Sequence, residues 1–371
     1  MIPRHARIAY LTPLYFDENS YIGGGERYPL NLAKGVVAAS EGTSRVDIIS
    51  YGRTPRRIEL SPGVWLRVLT IHNRPADPLD VLSWDLPEAI DEVDLVHIHA
   101  AFTRSGEMGL LVAKQRGKPV CLTDHGGSSS GLGREVGMLE LADRVIAYSQ
   151  FGASFFRTKT RVEIVPGGVD GTMFTPSQVP VVRDRVLYVG RLLPHKGVDR
   201  LIEALPDDLP LTVCGRPYHA KYFEDLQALA CGKQVSFVTD ATDATILDLY
   251  RRSWANVLPS VYRDRYGTTY VAPELMGFTL LEARACGTPA IAARTGAMPE
   301  FIDEGVNGFV FDDVDALRGL LRRLADDPSL VERMGLAARR TVDERFDLTV
   351  AGGMMLAIYR DLIDAAREAA A

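Results

Sequence analysis

The chain has 371 residues, of which 46% are hydrophobic and 24% charged, and a formal net charge of -6. That length exceeds one ordinary hydrophobic core and predicts two domains. The acidic balance argues against a nucleic-acid binder, which is usually basic, and no apolar run approaches the roughly 18 residues of a membrane span.

The opening stretch, MIPRHARIAYLTP, passes from basic residues straight into a short apolar strand. It lacks the long apolar stretch and cleavage site of a signal peptide. The four cysteines, Cys121, Cys214, Cys231 and Cys286, are scattered. Without a C-x-x-C or a zinc-like spacing they read as reduced thiols. The expectation is a cytoplasmic protein.

Short apolar runs at 7–11, 46–50, 64–69, 95–99, 120–123, 145–148 and 162–165 predict strands. Several are apolar almost throughout, as strands of a parallel sheet covered on both faces should be. Helical patterns at 26–39 and 104–116 lie between them, and this alternation predicts a doubly wound α/β domain. After the proline-marked stretch from Thr175 to Pro180 the series resumes. Strands are expected at 185–189, 211–214, 235–238, 254–258, 289–292 and 308–311. Helices are expected at 198–205, 222–230, 244–252, 279–286, 314–326 and 329–346. The predicted domains are therefore 1–175 and 176–347. Residues 348–371 form one or two closing helices that return toward the first domain.

Ligands of such sheets bind beyond the carboxyl ends of the strands, and each motif below sits at such an end. Glu274 and Glu282 stand eight positions apart, flanking a glycine-containing turn that opens into a helix. A helix N-terminus offers unpaired N–H groups and positive dipole charge to a phosphate. A carboxylate on each side suits hydroxyls flanking a diphosphate, the layout of a nucleotide sugar. In YVGRLLPHKGVDRLIEAL a strand ends at Gly190 and a helix begins near Val198. Arg191 and Lys196 lie on the loop between them. Two cations there can neutralise a leaving diphosphate, arginine with two donors and lysine as a point charge. A solvated basic loop is the plainer reading.

Gly23-Gly24-Gly25-Glu26 precedes the first helix but does not fit G-x-G-x-x-G, so a dinucleotide fingerprint is a poor match. His125 follows a strand in VCLTDHGGSSS. His97 and His99 share one strand face; their spacing suits a metal, yet no third ligand is evident, and structural hydrogen bonding is the better reading. Asp313-Val314-Asp315 has the form of a D-x-D, but a helix cap by Asp312 or Asp313 explains it better. Arg45, Arg53, Arg56, Arg57, Arg67 and Arg74 crowd the early strands, diluted by Glu59, Asp77 and Asp80. A solvated face is one reading, and weak peripheral docking on anionic lipid the other.

The run P-E-x-x-G-F-x-L-L-E-A-x-A-C-G-T-P at 273–289 resembles the E-x7-E signature of the family 4 retaining glycosyltransferases, and G-R-L-x-x-x-K-G-x-D at 190–199 resembles their diphosphate-binding motif. The resemblance implies the GT-B fold, two Rossmann-like domains facing across a cleft, with acceptor bound by the first and nucleotide sugar by the second. It implies Glu274 at the hydroxyls of the donor sugar and Glu282 at the ribose. Backbone N–H groups around Gly277, Phe278 and Thr279, with Gly190, would meet the diphosphate. It places Arg191 and Lys196 at the leaving group, His125 by the developing oxocarbenium charge, and Gly24 and Gly25 near the donor phosphates. The turn VPGGVD at 165–170 resembles the family's P-N-G-V-D. The segment from Pro259 to Ala272 is longer than is usual there, and its Arg263, Arg265 and Tyr266 bear on donor identity.

The expected activity is transfer of a hexosyl group from a UDP- or GDP-hexose to an acceptor hydroxyl, with retention and without a metal or other cofactor. Two alternatives stand beside it. One is an epimerase acting on a nucleotide sugar; the other is a silent nucleotide-sugar-binding protein.

Overall fold

Most of the short apolar runs form parallel strands buried on both faces. In a computed structural model, which describes residues 6–13, 24–74, 77, 79–125 and 132–370, the chain divides into two units. One comprises Met1–Gly168 with Leu348–Ala371, the other Val169–Asp347.

The first unit holds β1 (Arg7–Leu11), β2 (Arg45–Gly52), β3 (Arg56–Ser61), β4 (Val64–Thr70), β5 (Leu95–His99), β6 (Val120–Thr123), β7 (Arg144–Ala147) and β8 (Val162–Ile164). Their order in the sheet is β3-β4-β2-β1-β5-β6-β7-β8. β1 pairs in parallel with both β2 and β5, Ile8 standing opposite Val46 and Leu95. Every residue of β5 is buried, His97 and His99 included. The helices are α1 (Gly24–Ala39), α2 (Leu86–Ala89), α3 (Arg104–Gln115), α4 (Leu132–Glu135) and α5 (Gln150–Ala153). Thr103 caps α3 by accepting the Gly106 N–H at 3.1 Å.

β3 is absent from the expected elements. It is the antiparallel partner of β4 and lies at the sheet edge, largely exposed. Edge strands carry charge to discourage further pairing, so RRIELS lacks the apolar run that marks its neighbours. Two of the crowded arginines make ion pairs within the unit. Arg45 reaches Asp47 at 2.6 Å and Arg57 reaches it at 3.6 Å. Both guanidinium groups also stack on Trp65, 5.1 and 5.0 Å from the ring centre.

The second unit holds β9 (Arg185–Val189), β10 (Leu211–Cys214), β11 (Val235–Val238), β12 (Ser253–Leu258), β13 (Ala290–Ala293) and β14 (Gly308–Phe311). All are parallel, in the order β11-β10-β9-β12-β13-β14. Its helices are α6 (Val198–Ala204), α7 (Ala220–Leu229), α8 (Asp243–Arg251), α9 (Phe278–Ala285), α10 (Val314–Asp326) and α11 (Pro328–Thr341). A π-helical turn, Val342–Phe346, ends the run expected to be one helix. Residues 169–175 belong to this unit. Val169 bridges Asp347, Phe174 packs on Tyr250, and Arg251 donates to the Thr175 carbonyl at 2.8 Å.

One closing helix, α12 (Leu348–Ala370), completes the first unit against α1. Gly35 and Gly352 meet where a Cβ on either would overlap backbone of the other helix. No helix among the described residues is long and apolar enough to cross a membrane.

Candidate active site

β9 is where the second sheet turns back on itself: β10 and β11 extend it one way, β12 to β14 the other. Ligands of open parallel sheets bind at such a switch point, beyond the carboxyl ends of the strands. The loop after β9 and the segment after β12 leave the sheet side by side there.

After β9 comes a 3-10 turn, Pro194–Lys196, closed by the Lys196 N–H donating to the Leu193 carbonyl at 2.9 Å. Gly197 follows with φ of 64°, in the left-handed region that favours glycine. A Cβ on it would also overlap the Pro259 carbonyl oxygen. The Val261 N–H donates to the His195 carbonyl at 2.9 Å, so the two segments are fastened together. The result brings Lys196 to Glu274, 78 positions away: the ammonium donates to Glu274 Oε1. The Ser260 hydroxyl donates to the same oxygen at 2.7 Å. Among the described residues nothing donates to Oε2. The lysine and glutamate side chains are only 13% and 8% exposed. Charge acts strongly in such a setting, yet desolvation offsets most of what a buried pair contributes to stability.

The Glu274 backbone is held as firmly. Its carbonyl accepts the Ala297 N–H at 3.1 Å, and Gly296 leaves no room for a Cβ against that oxygen. The Gly296 N–H donates to the Tyr262 hydroxyl at 2.9 Å. Tyr262 begins a hairpin within the long segment before Glu274. Arg263 bridges Thr269 antiparallel. Asp264 Oδ1 accepts the N–H groups of Tyr266 at 2.9 Å and Thr268 at 3.0 Å, and its Oδ2 accepts the Tyr270 hydroxyl at 3.0 Å. The hairpin reaches neighbouring loops through its tyrosines. Tyr266 donates to Asp225 at 2.5 Å, and the Tyr270 ring lies 4.8 Å from that of His195. Burial, with Lys196 beside it, lowers the His195 pKa to about 4.

Gly277, with φ of 76°, caps α9 from the left-handed region. A Cβ there would crowd Met298 at 2.8 Å and Leu258 at 3.0 Å. Phe278 and Thr279 open α9, and Glu282, one turn on, is buried and accepts the Tyr250 hydroxyl at 2.8 Å. Arg191 is exposed; Gly190 before it donates its N–H to the Cys214 carbonyl at 3.0 Å. Sequence reasoning passed over Ser260 and Tyr250. Serine after a strand and tyrosine in an amphipathic helix are ordinary, and their partners lie far along the chain.

His125 belongs to the first unit. That sheet also has a switch point, between β1 and β5, and it is packed with rings. His97 shares hydrogen bonds with Tyr359 at 2.5 Å through Nδ1 and with Thr123 at 2.7 Å through Nε2. Tyr359 donates to the Tyr10 hydroxyl at 2.9 Å. His99 lies 4.2 Å from His97 and stacks on His125 at 5.4 Å with an interplanar angle of 7°. His125 is partly exposed; its Nε2 is buried without a partner among the described residues, and its Nδ1 meets the Tyr148 hydroxyl. Neither ring nitrogen of His99 has a partner among the described residues. Burial lowers the pKa of His97 to about 3 and of His125 to about 4, and holds that of His99 well below the usual range. Among the described residues no His, Cys, Asp and Glu cluster has the geometry of a metal site.

The remaining motifs have local explanations. Gly24 and Gly25 begin α1, while Gly23, the loop before it and the glycines and serines after His125 lie outside the described residues. Asp313 caps α10, accepting the Ala316 N–H at 2.8 Å; Asp312 pairs with Arg294 at 2.8 Å. Asp170 Oδ1 gathers the Thr172 hydroxyl at 2.6 Å and the Met173 N–H at 3.2 Å, so the VPGGVD turn is structural.

Comparison with known proteins extends this picture over the whole chain. The model of the Glycosyltransferase Family 4 matches residues 22–172, and that of Glycosyl transferases group 1 matches residues 173–341. The D-inositol 3-phosphate glycosyltransferase of Acidothermus cellulolyticus is 27% identical, covering 94% of this chain and 89% of its own length. That of Thermobifida fusca is 28% identical, covering 96% and 93%. Sucrose-phosphate synthase from Thermosynechococcus elongatus superposes with a TM-score of 0.76 at 24% identity, covering 97% of this chain and 100% of its own. Anabaena HepE, solved with UDP and glucose, gives 0.74 at 20% identity, covering 96% and 100%. Both halves are thus matched by sequence models that meet at residue 172 and the whole by solved GT-B structures, so the chain belongs to the family 4, group 1 glycosyltransferases.

Proposed function

We propose that this glycosyltransferase moves a hexosyl group from a nucleoside-diphosphate sugar to an acceptor hydroxyl, with retention of configuration and without a metal. The observation that carries the reading is the buried Lys196–Glu274 pair at the switch point of the second sheet. A cation and a carboxylate held together there match a ligand that is anionic at its diphosphate and rich in hydroxyls at its sugar.

In this reading Lys196 and Arg191 take up charge as the diphosphate leaves, the term that contributes most when donors are fixed in advance. Two such cations make a metal unnecessary. Glu274 accepts hydrogen bonds from sugar hydroxyls. Glu282, oriented by Tyr250, accepts from the ribose. The start of α9 from Gly277 to Thr279, with Gly190, faces the phosphates. The family resemblance assigns Gly24 and Gly25 to those phosphates and His125 to the developing positive charge at the sugar. The departing phosphate helps deprotonate the acceptor on the same face. HepE was solved with UDP-glucose as well as with UDP, which supports a UDP-hexose as the donor to try first. The relatives' activity makes a phosphorylated cyclitol the acceptor to try first. We read the enzyme as cytoplasmic; none of its four cysteines is paired.

The test is consumption of UDP-, GDP-, ADP- and dTDP-hexoses in EDTA, with and without inositol 3-phosphate, by the wild type and by Glu274→Ala and Lys196→Ala. One preferred donor, lost in both variants and consumed faster with acceptor, is expected. Sugar isomerised without transfer would favour the epimerase, and tight binding without turnover the silent binder. Donor use indifferent to both substitutions would overturn the site.

A further inference from the structure

We propose that Ser260 is a positioning residue. It keeps the Glu274 carboxylate aimed at the donor sugar once Lys196 has turned to the diphosphate. The inference rests on the reading of Glu274 and Lys196 above.

Lys196 and Ser260 both donate to Oε1 of Glu274, and Oε2 accepts nothing from the described residues. A diphosphate competes with the carboxylate for the Lys196 ammonium. A donor that draws the ammonium away leaves Glu274 nearly buried without its counter-ion. Such a carboxylate is left to rotate toward another donor. The Ser260 hydroxyl prevents this. It is fully buried, so it has no solvent to exchange with, and it sits between residues that are themselves pinned. Pro259 is fitted against Gly197, and Val261 donates to His195. The hydroxyl therefore cannot follow Lys196 when the lysine moves. It retains Oε1, fixes the carboxylate plane, and leaves Oε2 for a sugar hydroxyl. Tyr262 supports the same group from behind by holding Gly296, which abuts the Glu274 carbonyl.

A merely structural serine would affect every ligand alike, whereas a residue acting through Glu274 affects only ligands that carry a sugar. The experiment compares wild type, Ser260→Ala, Glu274→Gln and the double variant, using UDP-glucose, GDP-mannose, ADP-glucose and dTDP-glucose as donors. Binding of UDP, GDP, ADP and dTDP is measured beside it. A hydrogen bond to a charged group is worth about a tenfold rate change or more. Ser260→Ala should lose about tenfold or more in kcat on the donor used, bind the corresponding nucleotide as the wild type does, and cost nothing further in the Glu274→Gln background. A wild-type rate in Ser260→Ala, an equal loss in both backgrounds, or a matching loss of nucleotide affinity would overturn the inference alone. Failure of the wild type to consume any of the four donors would instead remove the glycosyl-transfer reading on which it rests.

Discussion

The two units build the same switch point and fill it with different chemistry. In the second, a lysine and a glutamate face each other with little solvent, and a rigid hairpin frames them. In the first, three imidazoles and several phenols pack into a neutral block, with Tyr359 of α12 closing it from the far end of the chain. The charged pair of the second unit spends stability to hold charge ready, while the first unit keeps titratable rings uncharged as part of a core. Parallel α/β architecture specifies neither; side chains at strand ends decide what each site does.

Acid should separate the units most strongly. Histidines in an unfolded chain titrate near 6.5. In the folded first unit His97 and His125 titrate near about 3 and about 4, and His99 lies well below its usual range. Between those values and about 6.5 the unfolded chain binds more protons, so stability rises with pH. It is fully present above that range and is lost as pH falls toward about 4. Each buried imidazole costs about 1.4 kcal/mol per pH unit below 6.5, and three together cost several kcal/mol by about pH 5. The second unit has only His195 shifted this way, and it is partly exposed and counts for less. The first unit should unfold at higher pH than the second. Trp65 and Trp84 report on the first and Trp254 on the second, so fluorescence of Trp254→Phe against the wild type resolves the order. Simultaneous loss of both would break the comparison.

Next in size is the charged pair. Lys196→Met leaves Glu274 buried alone, and Glu274→Gln leaves the lysine so; breaking a buried pair from one side typically costs about 3–5 kcal/mol. Lys196→Met with Glu274→Gln removes the charge altogether and should be at least as stable as either single variant. All three should lose transfer activity by about a hundredfold or more. Denaturant melts and donor consumption check both halves. A double variant less stable than the singles would mean that the pair holds the fold.

The contrast was only half legible in the chain. Strands such as 7–11, 95–99 and 185–189 announced themselves, because burial leaves them mostly apolar. The charged edge strand 56–61 did not, since exposure removes that signal. Glu274 and Lys196 were each visible as motifs, but their meeting depends on Gly197 seating against Pro259, a contact between distant segments. Ser260, Tyr250 and Tyr359 were invisible for the same reason. Each is an ordinary residue until the fold brings it to Glu274, Glu282 or His97.

A smaller effect tests whether α12 belongs to the core of the first unit. Gly35→Ala would drive a Cβ into the Leu348 carbonyl, and overpacking of this kind costs about 1–3 kcal/mol. It should lower the melting temperature and move the acid transition of the first unit to higher pH, while leaving nucleotide binding unchanged. Loss of nucleotide binding would show that the units are not separable in this way.

The smallest change reaches the same helix through one oxygen. Tyr359 donates to Tyr10, so its oxygen accepts the Nδ1 proton of His97, and His97 Nε2 accepts in turn from Thr123. This gives a chain of donors running from β6 through β5 to α12 and β1. Tyr359→Phe deletes the acceptor and leaves Nδ1 buried with nothing to meet it, at about 1–2 kcal/mol. Thr123 can accept as well as donate, so the imidazole has a second course: it moves its proton to Nε2 and leaves Nδ1 bare. Stability should fall by about 1 kcal/mol, and the nitrogen NMR shifts of His97 should exchange their protonated and bare values. Stability and tautomer both unchanged would mean that Tyr359 does not set the state of His97, and the neutral block would then owe its protonation to burial alone.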